Sequence, residues 1–203
     1  MIIIISSPSG VGKTTIAKNL EKSNFERIVT YTSRPKRPIE IDGVDYYFIG
    51  KEKFDEFIKK DFFAEFSYVH DNYYGISKES LQSNSKHKTL TIDVQGAAKI
   101  KKIMPSVVTI FLLPPSFEEW MRRITKTQRN NFDIRLKNAI KELDEVWSFE
   151  YAIVNYSIEK TVQQIQTIVS CEEAKCKKGL ENLINQLKMN IKNTMEENNG
   201  NNS

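Results

Sequence analysis

The chain has 203 residues, of which 28% are charged and 39% hydrophobic, and a formal net charge of +4. That length suits one α/β domain with inserted subdomains and buries a substantial core. The mild positive balance suits anionic small molecules but makes no case for nucleic acid, and no apolar run approaches the ~20 residues of a membrane span.

The first stretch, Met1-Ile-Ile-Ile-Ile-Ser6, is apolar and β-branched, the composition of a strand buried on both faces. It runs into Ser7-Pro8-Ser9-Gly10-Val11-Gly12-Lys13-Thr14-Thr15, and then into Ile16 to Leu20, which reads as helix. Strand, glycine-bearing turn, Lys-Thr and helix together make the context of a phosphate-binding loop. Gly10 and Gly12 let successive backbone N–H groups turn toward an anion, and the helix aims its positive end at the same point. Lys13 adds a cation for the β- and γ-phosphates, and Thr14 offers a hydroxyl to Mg²⁺. The first glycine of the general pattern is Ser7 here, small enough for the same turn. The apolar run lacks a basic leader, so no secretory leader is expected. Cys171 and Cys176 lie in a charged, helix-like segment without accompanying histidine and read as free thiols of a reducing cytoplasm. His70 and His87 have no ligand-like spacing and read as surface or loop residues.

Phe25 to Tyr31 alternates like a strand. It leads into a segment where Pro35 and Pro38 forbid a helix, so Arg34 and Arg37 stand on an extended loop. Their guanidinium forks suit a phosphate, and Tyr46 adds a hydroxyl; on their own, the arginines read equally well as a solvated basic loop. Asp42-Gly43 makes a turn, Val44 to Ile49 is strand-like, and a short helix follows from Glu52 to Lys60.

The ordered run Ser33-Arg34-Pro35-x-Arg37-x-x-Glu40-x-x-Gly43-x-x-Tyr46-x-Phe48, after Ser6-x-Pro8-Ser9-Gly10-x-Gly12-Lys13, resembles the guanylate kinase family. Further landmarks follow in the family's order: Ala64-Glu65-Phe66, Asn72-Tyr73-Tyr74-Gly75, Thr91-Ile92-Asp93-Val94-Gln95-Gly96-Ala97, Pro114-Pro115-Ser116 and Tyr151 to Asn155. The resemblance covers roughly residues 1–170. It implies a P-loop NTPase fold of the α/β class, with a parallel central sheet flanked by helices, an inserted mixed-β GMP-binding region and a helical lid. The domain, residues 1–178, would divide into a core (1–30 and 89–178), the GMP-binding region (31–88) and a lid at about 123–137.

The resemblance implies that Thr30, Arg34, Arg37, Tyr46 and Tyr74 hold the GMP phosphate. Glu65 would take the adjacent N1–H and 2-amino donors of guanine, which only an acceptor-only carboxylate suits. After Gly75 the family has Ser or Thr to donate to guanine O6. This chain has Ile76, so either Ser77 or a backbone N–H takes over, or GMP binds more weakly by about one hydrogen bond, ~1 kcal/mol. Asp93 would contact guanine or water around Mg²⁺, whereas Thr91 stands where the family commonly has a second aspartate. Asn155 is expected near the adenine of ATP.

Leu90 to Val94 reads as a second buried parallel strand, with helix Gln95 to Met104 and strand Ser106 to Leu113 after it. Ser116 is a plausible N-cap for a helix running to Arg123, and Phe132 to Val146 is helical again. Between these two helices lies the segment that matches the family's mobile lid, a few residues shorter and without its Gly-x-(Asp/Glu) element. Arg123 and Arg135 match the family's catalytic arginines, and Arg129 matches one only if the shortening falls before it. Phosphoryl transfer depends on positioning and charge neutralisation, which is why arginines belong there. The expected catalytic set is thus Lys13, Arg34, Arg123, Arg129 and Arg135.

Ile158, Val162, Ile165 and Val169 form a helical stripe. Beyond Gly179, Leu180, Leu183, Ile184, Leu187 and Ile191 form another, within an extension (179–195) that either folds back on the body or makes a subunit contact. Residues 196–203 carry no apolar anchor and read as disordered. The implied activity is Mg²⁺-dependent transfer of the ATP γ-phosphoryl to GMP, with dGMP as a further acceptor, in the cytoplasm. The implied partners are small molecules alone, with no nucleic acid or membrane, for a monomer or homodimer. A P-loop kinase of another phosphorylated acceptor and a non-catalytic phosphopeptide-binding module are the alternatives.

Overall fold

A computed structural model of the chain describes residues 1–69, 71–82, 86–125, 132–175, 180 and 183–191. The expectations placed on His70, Arg129, Cys176, Gly179 and the 196–203 tail lie outside these residues.

Every residue of strand β1 (Ile2–Ser6) is buried. It is the central strand of a five-stranded sheet in the order β2 (Phe25–Arg27), β7 (His87–Thr91), β1, β8 (Val108–Leu113), β9 (Tyr151–Val154). All neighbours in it run parallel. Both faces of such a sheet are covered, which is why β1 and β8 are mostly apolar, with Ser6 and Thr109 their polar members. Ile3, Ile4, Ile5, Leu90, Ile110, Phe111 and Leu112 are wholly buried, and each such side chain contributes roughly 1.5–3 kcal/mol. Ile5 pairs with Thr91 on one side and Ile110 on the other. The carboxyl ends of the central strands therefore form one rim, where ligands bind in sheets of this kind.

The strand expected from Leu90 to Val94 begins earlier and stops at Thr91. Asp93 leaves it to cap helix α3 (Val94–Ile103), its Oδ1 accepting the Gly96 N–H at 2.8 Å. The single strand expected from Phe25 to Tyr31 is two. β2 ends the parallel sheet, and β3 (Tyr31–Thr32) belongs to a second one. The crossing is visible in its partners: Ile28 N donates to Thr89 O at 2.8 Å, whereas Thr30 O accepts from Tyr47 N at 2.9 Å. Alternation marks extended backbone without saying which sheet it joins.

The second sheet has the order β4 (Tyr47–Phe48), β3, β6 (Asn72–Ser77), β5 (Phe63–Val69). Its β3–β4 pair is parallel and the others antiparallel. Helix α2 (Lys51–Lys59) fastens to it through Phe54, which stacks on Phe63 at 4.4 Å and on Tyr73 at 5.1 Å between ring centroids. A Cβ at Gly75 would stand 2.8 Å from the Phe63 ring and 2.9 Å from Phe54, so β6 passes there only as glycine.

Helices α1 (Lys13–Leu20), α4 (Phe117–Thr125), α5 (Phe132–Asp144) and α6 (Ile158–Lys175) complete the described helices named above, with 183–191 also helical. Ser116 caps α4 as expected, its Oγ accepting the Glu119 N–H at 3.2 Å. α5 stops at Asp144 and tightens into a 3₁₀ turn over Glu145–Ser148. The chain divides into compact units Met1–Gln164 and Ile165–Ser203; the candidate site lies in the first. In the second, Leu183, Ile184, Leu187 and Ile191 are exposed. Among the described residues no helix is long and apolar enough to cross a membrane.

Candidate active site

Between β1 and α1 the chain makes the turn that its glycines predict. Gly10 has φ +87° and Gly12 φ +116°, conformations that side chains resist. A Cβ would also stand 2.7 Å from Ile124 Cγ1 at Gly10 and 2.9 Å from Asn155 Nδ2 at Gly12. The loop is held from behind. Buried Asn155 donates to Val11 O at 2.8 Å and accepts from Thr161 Oγ1 at 2.9 Å. Trp120 Nε1 donates to Ser9 O at 2.9 Å, and the Ser7 hydroxyl donates to Pro8 O at 2.8 Å. Asn155 thus supports the loop, with both ends of its amide engaged by protein. Among the described residues no side chain caps the start of α1, which leaves its first N–H groups and positive dipole end for an anion.

Lys13 Nζ donates to the Ser7 carbonyl. Burial holds its pKa below the ordinary lysine value, against the opposing pull of the Glu142 and Asp93 carboxylates. Two expected arginines reach the same loop. Arg135 Nη2 donates to Ser9 Oγ at 2.8 Å. Arg123 donates to Val11 O at 3.3 Å and Asn155 O at 3.4 Å, with its Nε on Glu119 at 2.8 Å. α4 and α5 therefore bring separate cations to one loop.

A pocket of about 240 Å³ opens between this loop and the second sheet. Lys13 and Thr14 line it together with the expected Thr30, Tyr46, Glu65, Tyr74, Gly75, Ile76 and Asp93. Arg34 and Arg37 lie beside the lining tyrosines. The Arg34 guanidinium is 5.5 Å from the centroids of the Tyr46 and Phe48 rings and gives both arms to Glu40, at 3.0 and 2.8 Å. Burial works against its charge, but the Glu40 hydrogen bonds outweigh that and hold its pKa above the usual guanidinium value. Arg37 Nη1 is 3.6 Å from Glu40 and its side chain is 46% exposed, so it remains open to a ligand. Burial, aided by Tyr74, pushes the Tyr46 phenol up, which keeps it a donor. The Tyr46 and Tyr74 rings are 6.0 Å apart.

Glu65 stands on β5 with its side chain only 3% exposed, 3.0 Å from Lys99 Nζ. Burial pushes its carboxyl above the ordinary range, Lys99 opposes that, and Asp93 adds to it. Directly opposite on β6 is Ile76. It is 1% exposed and belongs to a core cluster with Leu81, Leu90 and Ile100, so the apolar side chain there also has a packing role. The Ser77 hydroxyl accepts the Ser80 N–H at 3.2 Å, and Ser77 is not a lining residue.

Sequence reasoning missed Ser67, Val69 and Ile92 as lining residues. The two-residue period of a strand carried the signal, because Ser67 and Val69 share the face of Glu65. It also missed Glu142 on α5, whose carboxyl is pushed up by burial and by Asp93 while Lys13 opposes; the apolar periodicity of that helix hid it. The arrangement offers anion-binding groups on two sides of one pocket, with a buried carboxylate in its wall.

The family model described as guanylate kinase matches residues 1–172. A guanylate kinase of Clostridium tetani is 39% identical over 182 residues, spanning 86% of this chain and 88% of its own. One of Wolbachia pipientis is 41% identical over 186 residues, spanning 86% and 92%. The crystal structure of guanylate kinase from Anaplasma phagocytophilum superposes with a TM-score of 0.71 at 35% identity, covering 85% of each chain.

Proposed function

The chain belongs to the guanylate kinase family, and from that premise we propose how its residues share the work. Its reaction is ATP-dependent phosphorylation of GMP to GDP. A kinase of another acceptor and a non-catalytic module are not favoured, given the curated guanylate kinases it resembles along most of its length. The observation that carries the assignment of roles is a pocket that joins Lys13 and Thr14 of the P-loop to Glu65, Tyr46 and Tyr74 of the second sheet.

In this reading residues 7–15 cradle the ATP phosphates, and Lys13 exchanges the Ser7 carbonyl for them. Arg123 and Arg135 answer the charge that develops at the transferring group, with Arg129 as a third candidate; one such arginine is worth roughly 10³–10⁵ in rate. Thr30, Arg34, Arg37, Tyr46 and Tyr74 hold the GMP phosphate, and Glu65 accepts from the guanine edge, with Gly75, Ile76 and Asp93 beside it. Asn155 serves ATP through the P-loop it supports. A GMP phosphate oxygen attacks the γ-phosphorus as the bond to the β–γ bridging oxygen breaks, giving GDP and ADP. The nucleophile is already anionic, so no general base is required.

The donors present fit Mg²⁺, a hard cation that takes oxygen ligands and keeps several waters. The Thr14 hydroxyl would hold it directly and Asp93, which lines the same pocket, through water. When bound it supplies charge neutralisation at the β- and γ-oxygens. We further place the protein in the cytoplasm, as a monomer or homodimer acting on free nucleotides. Lys13→Ala tests the scheme: turnover should fall by at least about 10³-fold while GMP binding persists, and near-normal turnover would overturn it.

A further inference from the structure

Glu65 sits where a carboxylate is least comfortable. Its side chain is 3% exposed, on the first half of β5. To accept two adjacent donors from a base it must be ionised, because a protonated carboxyl presents an O–H to one of them. Burial opposes that ionised form. The residue opposite it on β6 is uncharged Ile76, and further along the same face stands the Tyr74 phenol. From the turn before α3, Asp93 adds like charge and favours the protonated state. Lys13 lines the same pocket but belongs to the P-loop.

Among the described residues one cation touches the carboxylate. Lys99 Nζ, from α3, is 3.0 Å from Glu65 Oε1 and also donates to the Phe66 carbonyl at 3.3 Å. Two anchors on neighbouring residues of one strand fix where the ammonium lies. Lys99 is itself half-exposed and is not a lining residue of the pocket, so it grips Glu65 from outside the space a nucleotide would fill. Among the described residues Oε2 accepts no hydrogen bond. The carboxylate is therefore tied through one lone pair of Oε1 and keeps acceptor capacity on both oxygens.

We propose that Lys99 is a positioning residue for base recognition: its ammonium takes one lone pair of Oε1 and fixes the carboxylate of Glu65, so that Oε2 and the second lone pair of Oε1 meet the two donors of the guanine edge. The inference rests on the reading of Glu65 as the guanine acceptor. It gains weight from Ile76, which offers no hydroxyl to the base and leaves the choice of base leaning on Glu65.

The test is the pH profile of steady-state kinetics for the full chain, with GMP and ATP varied separately, in the wild type and in Lys99→Met, Lys99→Arg and Glu65→Gln. In Lys99→Met the acid limb of kcat/KM for GMP should move up by roughly one pH unit, the size expected for loss of a half-exposed counter-charge. GMP KM should rise about tenfold near the limb, with ATP KM and kcat at saturating substrate unchanged. Lys99→Arg should restore the wild-type limb. A limb that stays in place in Lys99→Met, while Glu65→Gln destroys GMP use, overturns the role of Lys99 and leaves Glu65 standing. A Glu65→Gln enzyme with wild-type GMP KM overturns the reading of Glu65 and the inference with it. Equal losses toward ATP and GMP in Lys99→Met would mark Lys99 as structural only and also overturn it.

Discussion

Arg34 and Glu40 form a two-armed ion pair, at 3.0 and 2.8 Å, and the backbone N–H of Arg37 closes on the same carboxylate at 2.9 Å. A loop that two prolines keep out of helix is thereby folded around one glutamate, which aims both arginines. Glu40→Gln loses the second arm and the charge. GMP KM should rise about tenfold, the worth of a charge-assisted hydrogen bond, with ATP KM unchanged. An unaltered GMP KM would mean that the arginines are aimed by something else.

The same pair sets a pH dependence. Burial opposes the Glu40 charge, but hydrogen bonds from Arg34 and Arg37 prevail and hold its pKa below the ordinary carboxylate value. Its stabilising contribution is present above that ordinary value and is lost as pH falls through the lowered one. Acid titration followed by urea unfolding should show stability declining in this window in the wild type, and declining less in Glu40→Gln.

Gly12 meets two demands at once, a φ of +116° and the approach of Asn155 Nδ2 to 2.9 Å from where a Cβ would lie. Gly12→Ala should cost about 1–3 kcal/mol from the backbone alone and should disturb the Asn155–Val11 bond that supports the loop. Denaturant midpoints and ATP KM should both worsen, with GMP binding spared.

How much of this was legible in the sequence depended on whether a residue's role is local. The P-loop could be read because its chemistry is contiguous, from the Ile2–Ser6 strand to Lys13 and Thr14. The split of the Phe25 to Tyr31 run could not, because Ile28 and Thr30 bond to strands far away in sequence, at Thr89 and Tyr47. Glu65 was found through its neighbours, but Lys99, 34 residues later, looks like any surface lysine of an amphipathic helix. Asn155 was expected near adenine, and its support of the P-loop, through bonds to Val11 and from Thr161, could not be read from the sequence because those partners lie far from it or on another element. Ile76 read as a lost donor, and its membership of the core cluster emerges only once β6 is laid against α3 and β7.

That double position of Ile76 gives a further prediction. Ile76→Thr restores a hydroxyl opposite Glu65 while removing apolar bulk from a site 1% exposed. GMP should bind tighter by about one hydrogen bond, ~1 kcal/mol or roughly fivefold, and the protein should lose about 1–3 kcal/mol of stability. Calorimetric titration with GMP and thermal unfolding read the two effects separately. Unchanged affinity would show that the hydroxyl does not face the base.

Lys13 offers a proton-linked signature. Burial holds its pKa down in the free protein, and phosphate oxygens favour its charged form. ATP binding at alkaline pH should therefore take up a proton, and affinity should fall as pH rises through the lowered value. Titrations in buffers of different ionisation enthalpy measure the uptake, and Lys13→Met should abolish it.

The central claim is that this pocket passes a phosphoryl group from ATP to GMP because Glu65 selects guanine. Coupled ADP release from Mg²⁺-ATP, with GMP, dGMP, AMP, CMP, UMP and dTMP each as acceptor, tests it most directly. Turnover confined to GMP and dGMP, and lost for both in Glu65→Gln, is the predicted result. Comparable turnover with AMP or a pyrimidine acceptor, or GMP turnover that survives Glu65→Gln, would contradict it.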